Sequence, residues 1–183
     1  MHEIERRFLC GPLEGGALAR ADRVQRIRQG YLTTSGPAVR VRQKDDAFLM
    51  TVKAGGGLVR REVEWPIPAD VADELFEIAG ARVLSKTRHV LGRWEVDVFD
   101  GALAGLVVAE VELSAADESL PSPPAGVPLL REVTEEPGLT NQWLAALEPE
   151  AARAFVAAAA AGPDAALAWV RTRRARASGD PAE

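Results

Sequence analysis

A single cysteine, Cys10, serves a chain of 183 residues. That excludes an intrachain disulfide framework and any cysteine-rich metal site, and it suits a reducing compartment. No apolar run approaches the length of a membrane span, and the N-terminus alternates charge at once instead of opening on a secretory leader. The cytoplasm is therefore the expected location, with no membrane partner. The net charge of −5 gives no global attraction to nucleic acid or anionic lipid, so no nucleic-acid partner is expected. Cys10 closes the first strand-like segment without a nearby histidine and reads as a small packing residue.

What is present is alternation. The first segment, His2-Glu3-Ile4-Glu5-Arg6-Arg7-Phe8-Leu9, puts Glu3, Glu5 and Arg7 on one strand face and Ile4 and Phe8 on the other. Alone, this also fits an N-terminal strand with one wet face. After a loop with a short helical piece over 11–23, strand patterns follow at 24–34, 39–42, 48–53 and 58–65, the last two joined by Gly55-Gly56-Gly57. Pro66 and Pro68 end that series, and 69–79 carries helical spacing before a Gly80 cap. Three further strand patterns occupy 83–90, 94–99 and 106–113. Prolines 121, 123, 124 and 128 then mark an extended linker, and 141–147 reads as a helix.

The last thirty-odd residues change character. Residues 150–161 are alanine-rich and helix-favouring, Gly162-Pro163 breaks the run, and Asp164 caps a helix to about Arg176. Arg171, Arg173, Arg174 and Arg176 at its end complement the helix dipole and read as a solvated group. The expected organisation is a domain over 1–147, a helical extension over 148–177 and a disordered tail over 178–183. The small alanine surface permits close packing of the extension within the monomer, although covering the barrel, closing one mouth or forming an oligomer are all open to it.

In-phase charges recur along the strands: Glu3/Glu5/Arg7, Arg40/Arg42, Lys53, Arg60/Glu62/Glu64, Lys86/Arg88, Glu95/Asp97 and Glu110/Glu112. Ile4, Val41, Val52, Val63, Val96 and Val111 intervene, so the other face is apolar wherever the charges occur. A half-exposed sheet usually mixes signs between neighbours, whereas most of these pairs carry one sign. Such clusters are costly unless they bind the opposite charge. A closed eight-stranded antiparallel barrel, mainly β with a charged lumen and helices outside, accounts for them. Carboxylate pairs suit a divalent cation with oxygen ligands, and arginine forks and lysines suit phosphate.

Glu3-Ile4-Glu5-Arg6-Arg7 resembles the ExExK signature of the CYTH superfamily, the triphosphate tunnel metalloenzymes. Blocks at 27–32, 39–42, 49–53, 60–64, 85–89, 95–99, 109–112 and 132–134 follow in family order, so the resemblance covers roughly 1–147. It departs at Arg7, where the signature has Lys, and at Leu139, where a Tyr often stands. The resemblance implies a β-tunnel binding a triphosphate with Mg²⁺ or Mn²⁺. Arg7, Arg28, Arg40, Arg42, Lys53, Arg60 and Arg88 would bind the triphosphate. Glu3, Glu5, Glu110 and Glu112 would hold the metal. Glu62, Glu64, Glu95 and Asp97 would take a second metal or orient the cations.

Lys86, crowded by Arg88, is the candidate base that activates water, or else one more phosphate clamp. His89, out of phase with both, belongs to outer-face packing. The implied activity is metal-dependent hydrolysis of a triphosphate, inorganic tripolyphosphate first. An adenylyl cyclase or thiamine triphosphatase shares the tunnel, but no clear aromatic or amide cluster offers a base pocket. A module that binds polyphosphate or nucleotide without turnover would have little use for so many acids.

Overall fold

The computed structural model describes the backbone of residues 2–55 and 58–178, with side chains over 4–55 and 58–176. Gly56, Gly57 and the tail from 179 lie outside the described residues, as does the Glu3 side chain. Among the described residues nine strands form one sheet: β1 (His2–Cys10), β2 (Arg23–Tyr31), β3 (Ala38–Lys44), β4 (Ala47–Ala54), β5 (Val59–Pro66), β6 (Val83–Leu91), β7 (Trp94–Phe99), β8 (Val107–Glu112) and β9 (Leu129–Glu132). The order β5-β4-β3-β2-β6-β7-β8-β1 closes on itself because β1 also pairs with β5, through Glu3 opposite Arg60. Among the described residues, eight antiparallel strands thus close into a barrel.

The ninth strand falls where sequence reading expects only a linker. β1 is longer than its pairing with β5, and β9 takes up the unused edge, with Phe8 opposite Glu132. Unpaired backbone groups on that edge are satisfied in this way, and the short strand carries no alternation of its own to announce it.

The apolar packing lies outside the wall, as strand alternation requires. Phe8, Trp94, Val96, Ala109 and Val111 meet Ala17, Leu113 and Val127. Helix α1 (Ala69–Ala79) lays Ala72 and Phe76 on Val41 of β3. Gly30 permits that contact, since a Cβ there would stand 2.9 Å from Ala79 Cβ. Val63 on β5 is apolar but 60% exposed, because α1 leaves the outer face of that strand uncovered.

The third apolar cluster is at one end of the barrel. Leu9, Tyr31, Leu84, Phe99 and Val108 share the inward phase of their strands, and they pack with helices α2 (Asn141–Ala145), α3 (Pro149–Ala161) and α4 (Pro163–Ser178). Phe155 of α3, fully buried, lies edge-on or tilted to Trp143 and Trp169 at 6.3 and 5.5 Å between centroids. The C-terminal helices therefore cover an end of the barrel within the monomer. Asp164 sits inside the first turn of α4, two residues past the N-cap position it was expected to fill, and bonds Arg131 at 2.6 Å. No helix among the described residues is long and apolar enough to cross a membrane.

Candidate active site: a charged lumen

The lumen holds a cavity of about 630 Å³. Its lining runs from Lys44, Glu95 and Glu112 at one end to Thr34–Gly36, Glu135, Trp143 and Arg174 at the other. Arg7, Arg40, Arg42, Lys53, Arg60, Lys86 and Arg88 all line it, as do Glu5, Glu62, Glu95, Glu110 and Glu112. The single rule of two-residue alternation delivers them, because each occupies the inward phase of its strand.

Arg28 is the exception. It is exposed on the outward phase of β2, with its guanidinium 4.0 Å from the Phe76 ring of α1. It packs the outer helix and does not line the cavity. On β2 the inward, buried positions are Gln25, Ile27, Gln29 and Tyr31. Tyr31, which sequence reading gave no role, sits in the lumen and accepts a hydrogen bond from Gln29 Nε2 at 2.9 Å. Its phase on β2 was the available signal. Burial pushes the Tyr31 hydroxyl above its ordinary pKa, against the pull of Arg40 beside it.

The acids form one patch. Glu5 of β1 faces Glu112 of β8, and Glu110 of β8 faces Glu95 of β7. Like charges directly opposite one another are destabilising, so cations must stand between them. Arg60 Nη2 meets Glu5 at 2.5 Å, and Arg7 reaches Glu110 through Nε at 2.8 Å and Glu5 through Nη2 at 3.2 Å. Arg88 Nη2 reaches the other Glu110 oxygen at 2.7 Å and Arg88 also pairs with Glu95. Burial alone would raise Glu110, but Arg7, Lys86, Arg88 and Lys53 outweigh it and hold the carboxyl well below its usual range. Glu95 is raised, mainly by burial.

Asp97 is fully buried and bonds Arg88 at both Nε and Nη2, 2.7 Å each, as well as Lys86 Nζ. It orients cations. Lys86 is 2% exposed, and burial lowers its pKa, with Asp97 opposing and Arg88 assisting. On the opposite wall Glu62 meets Lys53 at 2.5 Å, and Glu64 accepts from Thr51 Oγ1 at 2.6 Å. Glu64 lies outside the cavity lining, 3.4 Å from Arg42 Nη1. His89 is half-buried on the outward phase, as expected.

Two groups bear on ligands. Arg40 is 5% exposed, yet its Nε and Nη2 make no hydrogen bond, the Glu62 carboxylate standing 3.8 Å from Nη2, and Arg42 Nε makes none either. Buried polar atoms are nearly always satisfied, so such donors on a cavity wall call for an acceptor from outside the chain. For a metal, the donor set is carboxylate oxygen from Glu5, Glu110 and Glu112 on neighbouring strands, which is the chemistry Mg²⁺ and Mn²⁺ prefer. Among the described residues no three acids, histidines or cysteines already converge on one point, and Glu5 and Glu110 lean on arginines instead. The donor types fit a hard divalent cation, which would draw these side chains from their present partners.

A family model described as the CYTH domain matches residues 1–140. A protein named inorganic triphosphatase from Nitrosomonas europaea is 36% identical over 156 residues, covering 79% of this chain and 97% of its own. A second of the same name from Acetivibrio thermocellus is 34% identical, covering 78% and 92%. A crystal structure of an inorganic triphosphatase superposes with a TM-score of 0.55 at 32% identity, over 80% of this chain and 96% of that one.

Proposed function

Since this chain belongs to the CYTH family, we propose that it is a metal-dependent triphosphatase, splitting inorganic tripolyphosphate into pyrophosphate and phosphate inside its barrel in the cytoplasm. The names of its relatives support the reaction. The observation that carries the reading to this site is the set of buried arginine N–H groups that make no hydrogen bond, at Arg40 and Arg42, on the wall of a cavity that carboxylates also line.

Arg40, Arg42, Lys53 and Arg60 grip the phosphate oxygens, the arginines as planar forks and the lysine as a point charge. Arg88, fixed by Asp97, faces the phosphoryl group that is transferred, where neutralising negative charge supplies most of the rate. Glu5, Glu110 and Glu112, with Glu3, would hold Mg²⁺ or Mn²⁺, which when bound would neutralise charge on the phosphate chain. Lys86 is the base. Burial and Arg88 favour its neutral amine, which takes a proton from water as the water oxygen bonds to the terminal phosphorus. The bridging P–O bond breaks and pyrophosphate leaves with the electron pair. Tyr31, fixed by Gln29, donates to a phosphate oxygen.

One observation favours a second reading, an organic triphosphate. Trp143 lines the cavity beside Asn141, an aromatic neighbour that sequence reading did not find. Its ring also packs edge-on to Trp169 at 6.0 Å. Phosphate release from tripolyphosphate, ATP and thiamine triphosphate with Mg²⁺ or Mn²⁺ separates the readings. Fastest turnover is expected for tripolyphosphate, with loss in Glu5→Gln. Binding without turnover of any of the three would leave a capture module instead.

A further inference from the structure

Arg7 stands where the family signature has lysine, and its three kinds of N–H group go to three places. Nε goes to Glu110 Oε1 at 2.8 Å, Nη2 to Glu5 Oε1 at 3.2 Å, and Nη1 to the backbone carbonyl of Leu139 at 3.1 Å. The first two are candidate metal ligands. The third acceptor belongs to the turn 137–139, which lies under α4.

That turn is pinned from the far side. Gly138 is so close to α4 that a methyl there would overlap Val170 Cγ1 and stand 3.3 Å from Arg174 Cδ. Val170 is 1% exposed and shares the apolar cluster with Leu139, Ala166 and Leu167. The Arg7 backbone is tied to the same segment: its N–H donates to Thr134 Oγ1 at 3.1 Å, and its carbonyl accepts from Val133 at 2.8 Å. Packed interiors pass a displacement on rather than absorbing it, so a shift of α4 moves the Leu139 carbonyl.

We propose that Arg7 is a positioning residue that clasps Glu5 and Glu110 to the Leu139 carbonyl, so that helix α4 sets the geometry of the carboxylates that take the metal. This rests on the metal reading above. It gives the C-terminal helix, which lies beyond the matched residues 1–140, a part in the site. It also gives the arginine a reason: a lysine ammonium keeps the charge but cannot serve three acceptors spread across a fork.

The test is a double-mutant cycle on Arg7→Lys and Val170→Ala in the full-length chain, read by calorimetric titration with Mn²⁺ and by the separate KM values for metal and tripolyphosphate. Residues that orient metal ligands typically govern affinity by about ten- to a hundredfold, so Arg7→Lys should weaken Mn²⁺ about tenfold or more. Val170→Ala, remote from the cavity, should weaken it severalfold when Arg7 is intact. In the Arg7→Lys background it should have no effect, because the link is then already cut. The KM for tripolyphosphate should move much less. Gly138→Ala presses the same contact from the other side and replaces Val170→Ala if that variant does not fold. A lower melting temperature with unchanged Mn²⁺ affinity, or additive effects in the cycle, overturns the proposal. Absence of Mn²⁺ binding to the wild type would instead overturn the metal reading, and this proposal with it.

Discussion

Asp97→Asn should move the rising limb of the pH–rate profile to lower pH. Lys86 Nζ lies against Asp97 in a site where the two side chains are 1% and 0% exposed, so solvent screens their attraction little. Asp97 is the leading influence raising the Lys86 pKa, against burial and Arg88, which lower it. Removing the carboxylate charge removes that support for the ammonium. A close opposite charge is typically worth about one to three pKa units, or about 1.4–4 kcal/mol. The limb should therefore fall by about one to three units. The amide keeps an oxygen for one of the two Arg88 bonds, so the wall retains its cation. The assay is kcat for tripolyphosphate across the range from acid to strongly alkaline pH at saturating metal, with the wild type alongside. A smaller amplitude alone would be uninformative, since Arg88 also loses charge pairing; the position of the limb carries the test. A limb that stays in place, or rises, refutes Lys86 as the base and leaves it a phosphate clamp.

Arg40→Ala should lower kcat/KM for tripolyphosphate about 10- to 100-fold, the worth of one charge-assisted hydrogen bond, while Arg28→Ala should leave it within about twofold because that side chain packs on Phe76 outside the barrel. Phe155→Ala should cost about 3–5 kcal/mol and lower the melting temperature by roughly 6–20 °C by calorimetry, since it empties the centre of the helix cluster. Glu110 is held below its ordinary pKa, so its ionised form adds stability at neutral pH that fades as the pH falls from the ordinary carboxylate range toward the folded value. Glu110→Gln should cost about 3 kcal/mol at neutral pH and flatten the acid loss seen in denaturant titrations, because Arg7 and Arg88 each lose a buried partner.

The barrel was legible because a two-residue period survives wherever one strand face is packed and the other is charged. Val41, Val96 and Val111, each wholly buried between charged neighbours, show the rule at its plainest. It says less at Val63, since alternation marks two faces and not whether a helix covers the outer one. Arg28 came from resemblance to a family block, and its phase on β2 argued against it all along. β9 had no pattern to read, because four residues completing an edge need only backbone groups. The arginines at the chain's end looked alike in sequence, yet Arg174 lines the cavity, which depends on how α4 crosses Gly138. Such a crossing is a tertiary fact with no local signature. The same holds for Arg7, whose charge was legible and whose acceptor on Leu139 was not.

If the cationic and carboxylate walls together hydrolyse a triphosphate with the help of a divalent metal, following tripolyphosphate by phosphorus NMR in the presence of Mg²⁺ or Mn²⁺ will show it most directly. Conversion to equal amounts of pyrophosphate and phosphate is expected, halted by a chelator. Tripolyphosphate that stays intact with either metal, or conversion at the same rate after chelation, would contradict it.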